Sequence, residues 1–428
     1  MLTSECRDDR EPHGMPDPDE VYARHVTELG RTHDVRARED ILSESGLKLI
    51  ARDRRIEPRV FAQLTRHRLL RPLDHSIAIE NCLHPGDLIA TARELLREDA
   101  LVAALVRVLR DPGAPERHLG RMTLIPAMAN KLSVMRERLP GHYRHAVRVS
   151  LCAAALAEAA GPESAALGIE LATAGLLHDI GELHIDPDIF SLKRALTPGE
   201  ERQVRAHPVI AHMLLSGFPE YDPVVSRAVL EHHERLDGSG YPRGRRAEQL
   251  DLPGRILAVA EMAVAVCDRG NGESLAAILK GQPEKYDARV VKVLIDALRH
   301  CPVSRDATAQ TGPERVVKEL GELLAAIESG LEASATRETP AQQRVAERLA
   351  AMQRTLDRAG LRLVDAVEWL EVLREDPGLL AELDALARET RYRLRELAIE
   401  CRHRGCAPSG DGEDRVLTSW LDGLDKPK

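Results

Sequence analysis

The sequence predicts an all-α protein, and two observations support this fold class. The 428 residues are 43% hydrophobic but only 3% aromatic. That composition favours helices that pack through small and aliphatic side chains. Apolar residues also recur at helical spacing along the chain, and no segment between residues 140 and 270 alternates with the period of a strand. We expect a helical-bundle core with a small, mainly helical N-terminal module and a helical C-terminal extension.

The N-terminal part divides into a leader and a module. Residues 1–40 are polar and rich in proline, and we expect them to form a flexible leader. Residues 41–135 are predicted to form a mainly helical regulatory module. It contains a short strand near Leu49 and helical patterns at 85–110 and 123–138.

The central domain is predicted over residues 136–300. It starts where Pro140-Gly141 interrupts the preceding pattern. The helix that ends in LATAGLLHD is apolar on almost all sides, and such a helix is normally buried. Ile180-Gly181 is predicted to cap its C-terminus. The predicted helices of this domain lie at 142–160, 163–179, 222–234 and from Pro253 to about Asp268.

The C-terminal part is predicted to be helical over residues 314–405, and residues 406–428 are expected to form a polar tail. Apolar residues keep helical spacing here too, including those around Trp369, which we assign to a core. Sustained heptads are absent from the sequence, so a long coiled coil is not expected.

Charge and cysteine content exclude several classes of protein. The net charge of −9 lacks the basic footprint of a nucleic-acid-binding protein. The sequence contains no run of about 18 apolar residues, so no membrane span is expected. Its first residues are too charged for a signal peptide. The seven cysteines lack disulfide-framework spacing. Together these features predict a cytoplasmic location.

Histidines and acidic residues stand at the ends of successive predicted helices. Consecutive groups are separated by 25 to 33 residues, about one helical hairpin each, so every hairpin can bring ligands to a common centre. The set consists of His145, His178, Asp179, His207, His232, His233 and Glu261.

These residue types suit a metal centre. Imidazole binds transition metals, and a carboxylate can bridge two ions. Asp179 is the natural bridge, and His178 points about 100° away from it on a helix, as a terminal ligand would. His232 and His233 diverge, so that each reaches a different ion or one meets the substrate. A single helical histidine is usually structural, but burying His178-Asp179 without a charge partner would cost several kcal/mol.

The motifs in this region resemble those of the HD-GYP family, a branch of the HD superfamily of metal-dependent phosphohydrolases. They are His145-x2-Arg148, His178-Asp179-Ile180-Gly181, His207-Pro208, the run HHERLDGSGYP from His232 to Pro242, and RILAVAE ending at Glu261. The resemblance covers residues 140–270. It implies a bacterial signalling phosphodiesterase that hydrolyses cyclic di-GMP to pGpG or GMP through a metal-bridging hydroxide.

The resemblance also assigns roles to residues. It implies two divalent metal ions, iron or manganese, held by the seven residues named above, with His178 and Asp179 as the catalytic pair. Diguanylate cyclase or other signalling proteins are implied as partners beside cyclic di-GMP, and homodimerisation is open. The substrate-binding positions are Asp237, Gly240, Tyr241, Pro242 and Arg269.

Two departures from the family pattern leave alternatives open. Glu182 replaces a lysine that helps to hold the substrate, and Gly141 stands where three-metal members carry a glutamate. The second hypothesis is therefore a catalytically degenerate scaffold that binds nucleotide or protein partners without turnover. A third is an HD phosphohydrolase acting on other nucleotides.

Overall fold

The computed structural model describes residues 18–191, 196–268, 275–280, 284–299, 312–335, 340–358, 366–403 and 420. The chain divides into two units. The first comprises Met1–Glu234 and Gly240–Glu261, and the second comprises Arg235–Ser239 and Met262–Lys428. Helices dominate the described residues and the strands have two or three residues each, which confirms the all-α prediction.

The first helix, α1 (Pro18–Leu29), lies within the stretch that was expected to be a leader. Val21, Tyr22, Val26 and Leu29 are buried. These residues share one helical face, and burial of that face outweighs the polar composition that suggested a loose segment. The expected leader is therefore wrong for residues 18–40, which form a helix and a strand.

Short antiparallel strand pairs follow. Strand β1 pairs with β4, and Val35 lies opposite Ile79; β2 pairs with β3, which confirms the strand predicted near Leu49. The elements of this region are β1 (Val35–Ala37), β2 (Ile41–Leu42), β3 (Lys48–Ile50), the 3-10 helix η1 (Pro58–Val60), α2 (Phe61–Thr65), α3 (Leu73–Ser76) and β4 (Ile77–Ile79).

Four helices continue the N-terminal module and lead to the core. Asp99 caps the second of them, because its side chain accepts a hydrogen bond from the backbone N–H of Val102 at 2.9 Å. The helices are α4 (Pro85–Glu98), α5 (Ala100–Arg107), α6 (Ala114–Arg121) and α7 (Pro126–Arg138).

Two tightly packed helices form the centre of the first unit. They are α8 (Pro140–Ala160) and α10 (Gly168–Leu177). A Cβ on Gly175 would lie 2.6 Å from the Cα of Ser150, so only glycine permits this approach. The hydroxyl of Ser150 donates to the carbonyl of Ala172 at 2.6 Å. The alanine-rich and apolar sequence of this pair thus explains why most of its residues are buried.

The end of α10 differs from the predicted cap. The chain tightens into the 3-10 helix η2 (Ile180–His184) instead of ending at a left-handed glycine, because Gly181 packs against the backbone of His207. The remaining elements of the first unit are α9 (Pro162–Ala165), α11 (Pro187–Ser191), α12 (Pro198–Arg205), α13 (His207–Ser216), α14 (Pro223–Glu231), the 3-10 helix η3 (Ala247–Gln249) and α15 (Leu252–Asp268), which ends in the second unit.

The second unit has its own core, built from four long helices. Leu320, Ile327 and Leu349 are among its buried residues, and Trp369 packs against it as predicted. The helices of this part are α16 (Leu275–Lys280), α17 (Ala288–Arg299), α18 (Pro313–Ala333), α19 (Pro340–Arg358), α20 (Ala366–Glu375) and α21 (Pro377–His403). Across all the residues described, no helix combines the length and apolar character that crossing a membrane requires.

Candidate metal centre

The seven predicted ligands are brought together in the first unit. Each comes from a helix end or a helix face that points inward, and His178, His207 and His232 are almost completely buried. His145 lies on α8, His178 and Asp179 follow α10, His207 opens α13, His232 and His233 follow α14, and Glu261 lies on α15.

Backbone carbonyls fix the orientation of three of the imidazoles. Nδ1 of His178 donates to Gly175 O at 2.8 Å, and Nδ1 of His207 donates to Val204 O at 2.6 Å. His232 repeats the arrangement with Val229 O at 2.5 Å. In each case the acceptor is the carbonyl three residues earlier, so helix geometry itself provides it. The carbonyl assigns the proton to Nδ1 and leaves the Nε2 lone pair facing the centre, as a metal ligand requires.

The distances between the Nε2 atoms that face one another indicate whether a cation fits between them. Nε2 of His207 lies 3.1 Å from Nε2 of His232. Both nitrogens carry lone pairs in the tautomers just assigned, so neither donates to the other and they repel. A cation bound by both would remove that repulsion. Nε2 of His178 is also buried in this centre.

Asp179 lies between two sets of imidazoles. Its Oδ2 is 2.9 Å from Nε2 of His178 and 3.8 Å from Nε2 of His145. Its Oδ1 is 3.3 Å from Nε2 of His207 and 3.8 Å from Nε2 of His232. One oxygen therefore faces each set, which is the arrangement of a carboxylate that bridges two ions.

Glu261 completes one side of the centre. Its Oε2 lies 2.8 Å from Nε2 of His145 and 3.2 Å from Nε2 of His178. The carboxylate of Glu261 thus reaches both of these imidazoles.

The ligand atoms form two groups that share one residue. One contains Asp179, His207, His232 and His233, and the other contains His145, His178 and Asp179. The ligand atoms within each group lie within 4.8 Å of one another. Nitrogen and carboxylate donors in such groups fit divalent transition metals, with Asp179 common to both.

Electrostatics favour cations at this centre. Burial would raise the pKa of Asp179 and Glu261, but the adjacent histidines outweigh it and hold both values well below their ordinary range. Burial likewise opposes protonation of His178, yet the two carboxylates raise its pKa to about 10. Burial and the neighbouring imidazoles of His178 and His207 lower the pKa of His232 to about 3. The carboxylates are therefore ionised, and a metal ion would displace a proton from His178.

Glu182 and His142 lie beside these ligands. Oε2 of Glu182 is buried, makes no hydrogen bond, and lies 3.4 Å from Nε2 of His142. Burial, followed by the charge of Asp179, raises the pKa of the Glu182 carboxyl well above its ordinary value. Glu182 thus places a further acidic group at the centre, where the family has a positive charge.

The Gly240-Tyr241-Pro242 segment adjoins the second ligand group. The Tyr241 ring stacks on His233 with centroids 4.6 Å apart, and the Arg205 guanidinium lies 4.6 Å from the centre of the same ring. The Tyr241 N–H donates to the carbonyl of His233 at 3.1 Å, and the Tyr241–Pro242 peptide is cis. In this arrangement the Tyr241 ring therefore already has His233 and Arg205 as neighbours.

The other two residues that were expected to bind substrate are Asp237 and Arg269. Asp237 belongs to the second unit, where its carboxylate pairs with Arg348 at 3.1 Å. Arg269 lies outside the described residues.

His142 and Arg205 were not among the site residues predicted from the sequence. His142 precedes His145 by three residues on α8, so the i, i+3 spacing was the available signal for a shared helix face. Arg205 lies at the end of α12, two residues before His207. Its contact with the Tyr241 ring forms only because the chain folds back at the Tyr241 loop.

Comparison with known proteins agrees with this geometry. Residues 132–290 match a family model described as an HD domain. The chain is 30% identical over 169 residues to a cyclic di-GMP phosphodiesterase of Borreliella burgdorferi, covering 38% of this chain and 44% of that protein. It is 32% identical over 195 residues to another from Pseudomonas aeruginosa, covering 44% and 47%.

A third relative carries a different substrate in its name. It is the 3′3′-cGAMP-specific phosphodiesterase 1 of Vibrio cholerae, 28% identical over 200 residues, with 44% of this chain and 45% of that protein covered. The matched segments thus span under half the length of each of these relatives. Residues 132–290 are therefore similar to an HD domain. The two cyclic di-GMP phosphodiesterases among these relatives agree with the resemblance to HD-GYP proteins seen in the motifs.

Proposed function

We propose that this protein is a metal-dependent phosphodiesterase that hydrolyses cyclic di-GMP. The observation that carries the proposal is the pair of ligand groups that share Asp179. Two adjacent divalent ions are suited to phosphodiester hydrolysis, and two relatives are named cyclic di-GMP phosphodiesterases. The two ions, iron or manganese, are part of the proposal, as is the product, pGpG or GMP.

The chain's own residues would divide the work at the centre. His145, His178 and Glu261 hold one position and the three remaining histidines hold the other, with Asp179 between them. Divalent ions bound there would polarise a phosphoryl oxygen and activate water. The helical carbonyls that accept from Nδ1 direct Nε2 of these imidazoles towards the centre. Arg205, beside Tyr241, would supply positive charge for a substrate phosphate.

The wider predictions belong to the same proposal. Cyclic di-GMP is the first substrate to test, and 3′3′-cGAMP is the second because one relative is named for it. Both are cyclic dinucleotides with phosphodiester bonds. The cytoplasmic location, the diguanylate cyclase or other signalling partner and the homodimer stay predictions from the sequence.

Replacement of the bridging residue tests the proposal. We expect Asp179→Asn to lower bound iron or manganese, measured by elemental analysis, and to reduce cyclic di-GMP hydrolysis at least about 100-fold. The reason is that the amide offers no anionic oxygen to either ligand group. Glu98→Gln is the matched control, because its carboxylate is exposed and pairs with Arg144 on the surface. Wild-type activity in Asp179→Asn would contradict the proposed centre.

A degenerate scaffold is the second candidate function, and Glu182 is the observation that favours it. A buried carboxyl beside Asp179 opposes an incoming phosphate more than the family's lysine would. On this alternative, the metal-loaded wild type binds cyclic di-GMP but leaves it intact. Glu182→Lys then tightens binding. Glu182→Gln is the intermediate variant, because it removes the acidic group without adding a basic one. Rapid hydrolysis by the wild type would exclude the scaffold.

A further inference from the structure

The five residues Arg235–Ser239 lie in the middle of the family's characteristic motif. They connect His233 and Glu234 to Gly240 and Tyr241 in the sequence. They nevertheless group with the second unit, while the residues on both sides group with the first. The contacts of this segment therefore indicate which residues hold the middle of the loop between His233 and Tyr241.

Asp237 pairs with a helix of the C-terminal region. Its Oδ2 lies 3.1 Å from Nη2 of Arg348 on α19. The side chains are 17% and 29% exposed respectively, so the pair is largely shielded from solvent. Nη1 of Arg348 lies 3.8 Å from a carboxylate oxygen of Glu284. The guanidinium thus joins the loop to residues far along the chain.

Two further contacts hold the same segment. The backbone N–H of Leu236 donates to the carbonyl of Lys285 at 3.0 Å. The guanidinium of Arg235 lies 4.9 Å from the centre of the buried Tyr286 ring, close enough for a cation–π contact. Three consecutive loop residues, Arg235 to Asp237, therefore each have a contact within the second unit, to which they belong.

The base of the loop is closed within the first unit. Tyr241 donates its N–H to the carbonyl of His233 at 3.1 Å. The carboxylate of Glu234 accepts from the backbone N–H groups of Arg243 at 2.7 Å and Arg245 at 3.0 Å. A short loop closed in this way transmits a displacement of its middle to its base, because few backbone dihedrals are free to absorb it.

We propose that Arg348 is a positioning residue that sets the Asp237 loop and, through it, His233 and Tyr241. Arg348 acts on the site only through the chain that joins Arg235–Ser239 to His233 and Tyr241. This role replaces the substrate contact expected of Asp237, since its carboxylate is already paired with a guanidinium. This inference rests on the proposed function only where it predicts that Arg348 affects the hydrolysis of cyclic di-GMP.

Hydrogen exchange tests the proposal without any assay of activity. In the full-length protein, Arg348→Ala should speed amide exchange in peptides covering residues 233–242 about tenfold, because the loop loses its side-chain anchor. Arg374→Ala is the matched control, since its guanidinium pairs with Glu314 in the same unit and both side chains are well exposed. Equal exchange in wild type and Arg348→Ala would overturn the proposal.

A charge-swap experiment separates positioning from general structural damage. Arg348→Asp and Asp237→Arg should each raise KM for cyclic di-GMP more than they lower kcat, and the double variant should recover at least about threefold of the loss. Arg348→Lys should retain part of the loop protection. Strictly additive effects of the two reversals would contradict a direct pair. If the wild type does not hydrolyse cyclic di-GMP, the exchange comparison still decides the role of Arg348, and the proposed function alone fails.

Discussion

Single histidines in this protein differ because of what surrounds each ring. In the metal centre, a helical carbonyl accepts from Nδ1 and frees Nε2 for a ligand role. His25 on α1 is equally buried, but no ligand group found among the described residues includes it. Burial is the main cause that lowers the His25 pKa to about 4, and Arg138 and Arg24 contribute. The same residue type therefore serves as a ligand candidate in one place and as a neutral core residue in another.

His25 predicts a pH dependence of stability. Its pKa in the folded protein, about 4, lies below the value of about 6.5 expected in the unfolded chain. The unfolded state therefore binds the proton more tightly, and the stabilisation present above pH 6.5 is lost as the pH falls towards 4. We expect the free energy of unfolding of the first unit to fall by about 2 kcal/mol between pH 7 and pH 5 from this group.

The measurement is a comparison of urea unfolding at the two pH values for wild type and His25→Leu. The variant should lose about 2 kcal/mol less than the wild type over this range. His33→Leu is a suitable control, since the imidazole of His33 is only partly buried. Identical pH dependence in wild type and His25→Leu would show that His25 does not titrate as expected.

At the scale of elements, the short helix η2 connects the metal centre to the N-terminal module. Asp179 stands at its start and His184 at its end. Nε2 of His184 lies 3.0 Å from Nζ of the fully buried Lys131, whose ammonium is 3.5 Å from Asp74 and 3.7 Å from the centre of the Tyr22 ring. This polar cluster joins α1, α3 and α7 to the element that follows the bridging carboxylate.

Gly181 within η2 sets the distance to α13. A Cβ at this position would overlap the carbonyl oxygen of His207 and lie 3.0 Å from the nitrogen of Ala211, and both are backbone atoms that cannot rotate away. We expect Gly181→Ala to destabilise the first unit by about 1–3 kcal/mol and to lower metal content, because His207 must shift. Thermal unfolding and elemental analysis would measure the two effects.

Gly141→Ala is the control for that substitution. Gly141 lies on α8, and a Cβ there would contact nothing within 4 Å. Alanine in a helix is favoured over glycine by about 0.5–1 kcal/mol, so this variant should be neutral or slightly stabilised. Normal metal content in Gly181→Ala would mean that the close approach of η2 and α13 does not position His207.

At the scale of the whole molecule, the two units have different sources of stability. The first unit gathers five histidines and two carboxylates around one centre, in addition to its apolar core. Among the described residues, the second unit contributes none of these ligands and is held by aliphatic side chains of α18 to α21. Metal removal should therefore affect the units unequally.

Chelation tests this difference. Metal bound at about 1,000 times its Kd would stabilise the first unit by about 4 kcal/mol, and a strong chelator removes that stabilisation. We expect faster hydrogen exchange in α8, α10 and α13 after chelation, unchanged exchange in α18 to α21, and recovery when Mn²⁺ is restored. A uniform increase across both units, or no change in either, would contradict a metal centre confined to the first unit.

The all-α class and the candidate ligand set could be read from the sequence. Helical periodicity and small aliphatic residues are local properties, so the predicted bounds of a helix such as α8 were nearly correct. The positions of histidine and acidic residues at helix ends can also be recognised in the sequence. The leader was wrong because the apolar face of α1 is stabilised only when the module packs against it.

Tertiary structure alone decided how those residues act. The division of Asp179 between two sets of imidazoles depends on the approach of α10, α13 and α14, and the pairing of Asp237 with Arg348 joins residues 111 positions apart. Neither relation has a local period or spacing that a sequence could reveal. Residue types and their order in the chain determined the chemistry that was available, and packing determined which atoms meet, because distances between distant segments are set only when the cores close.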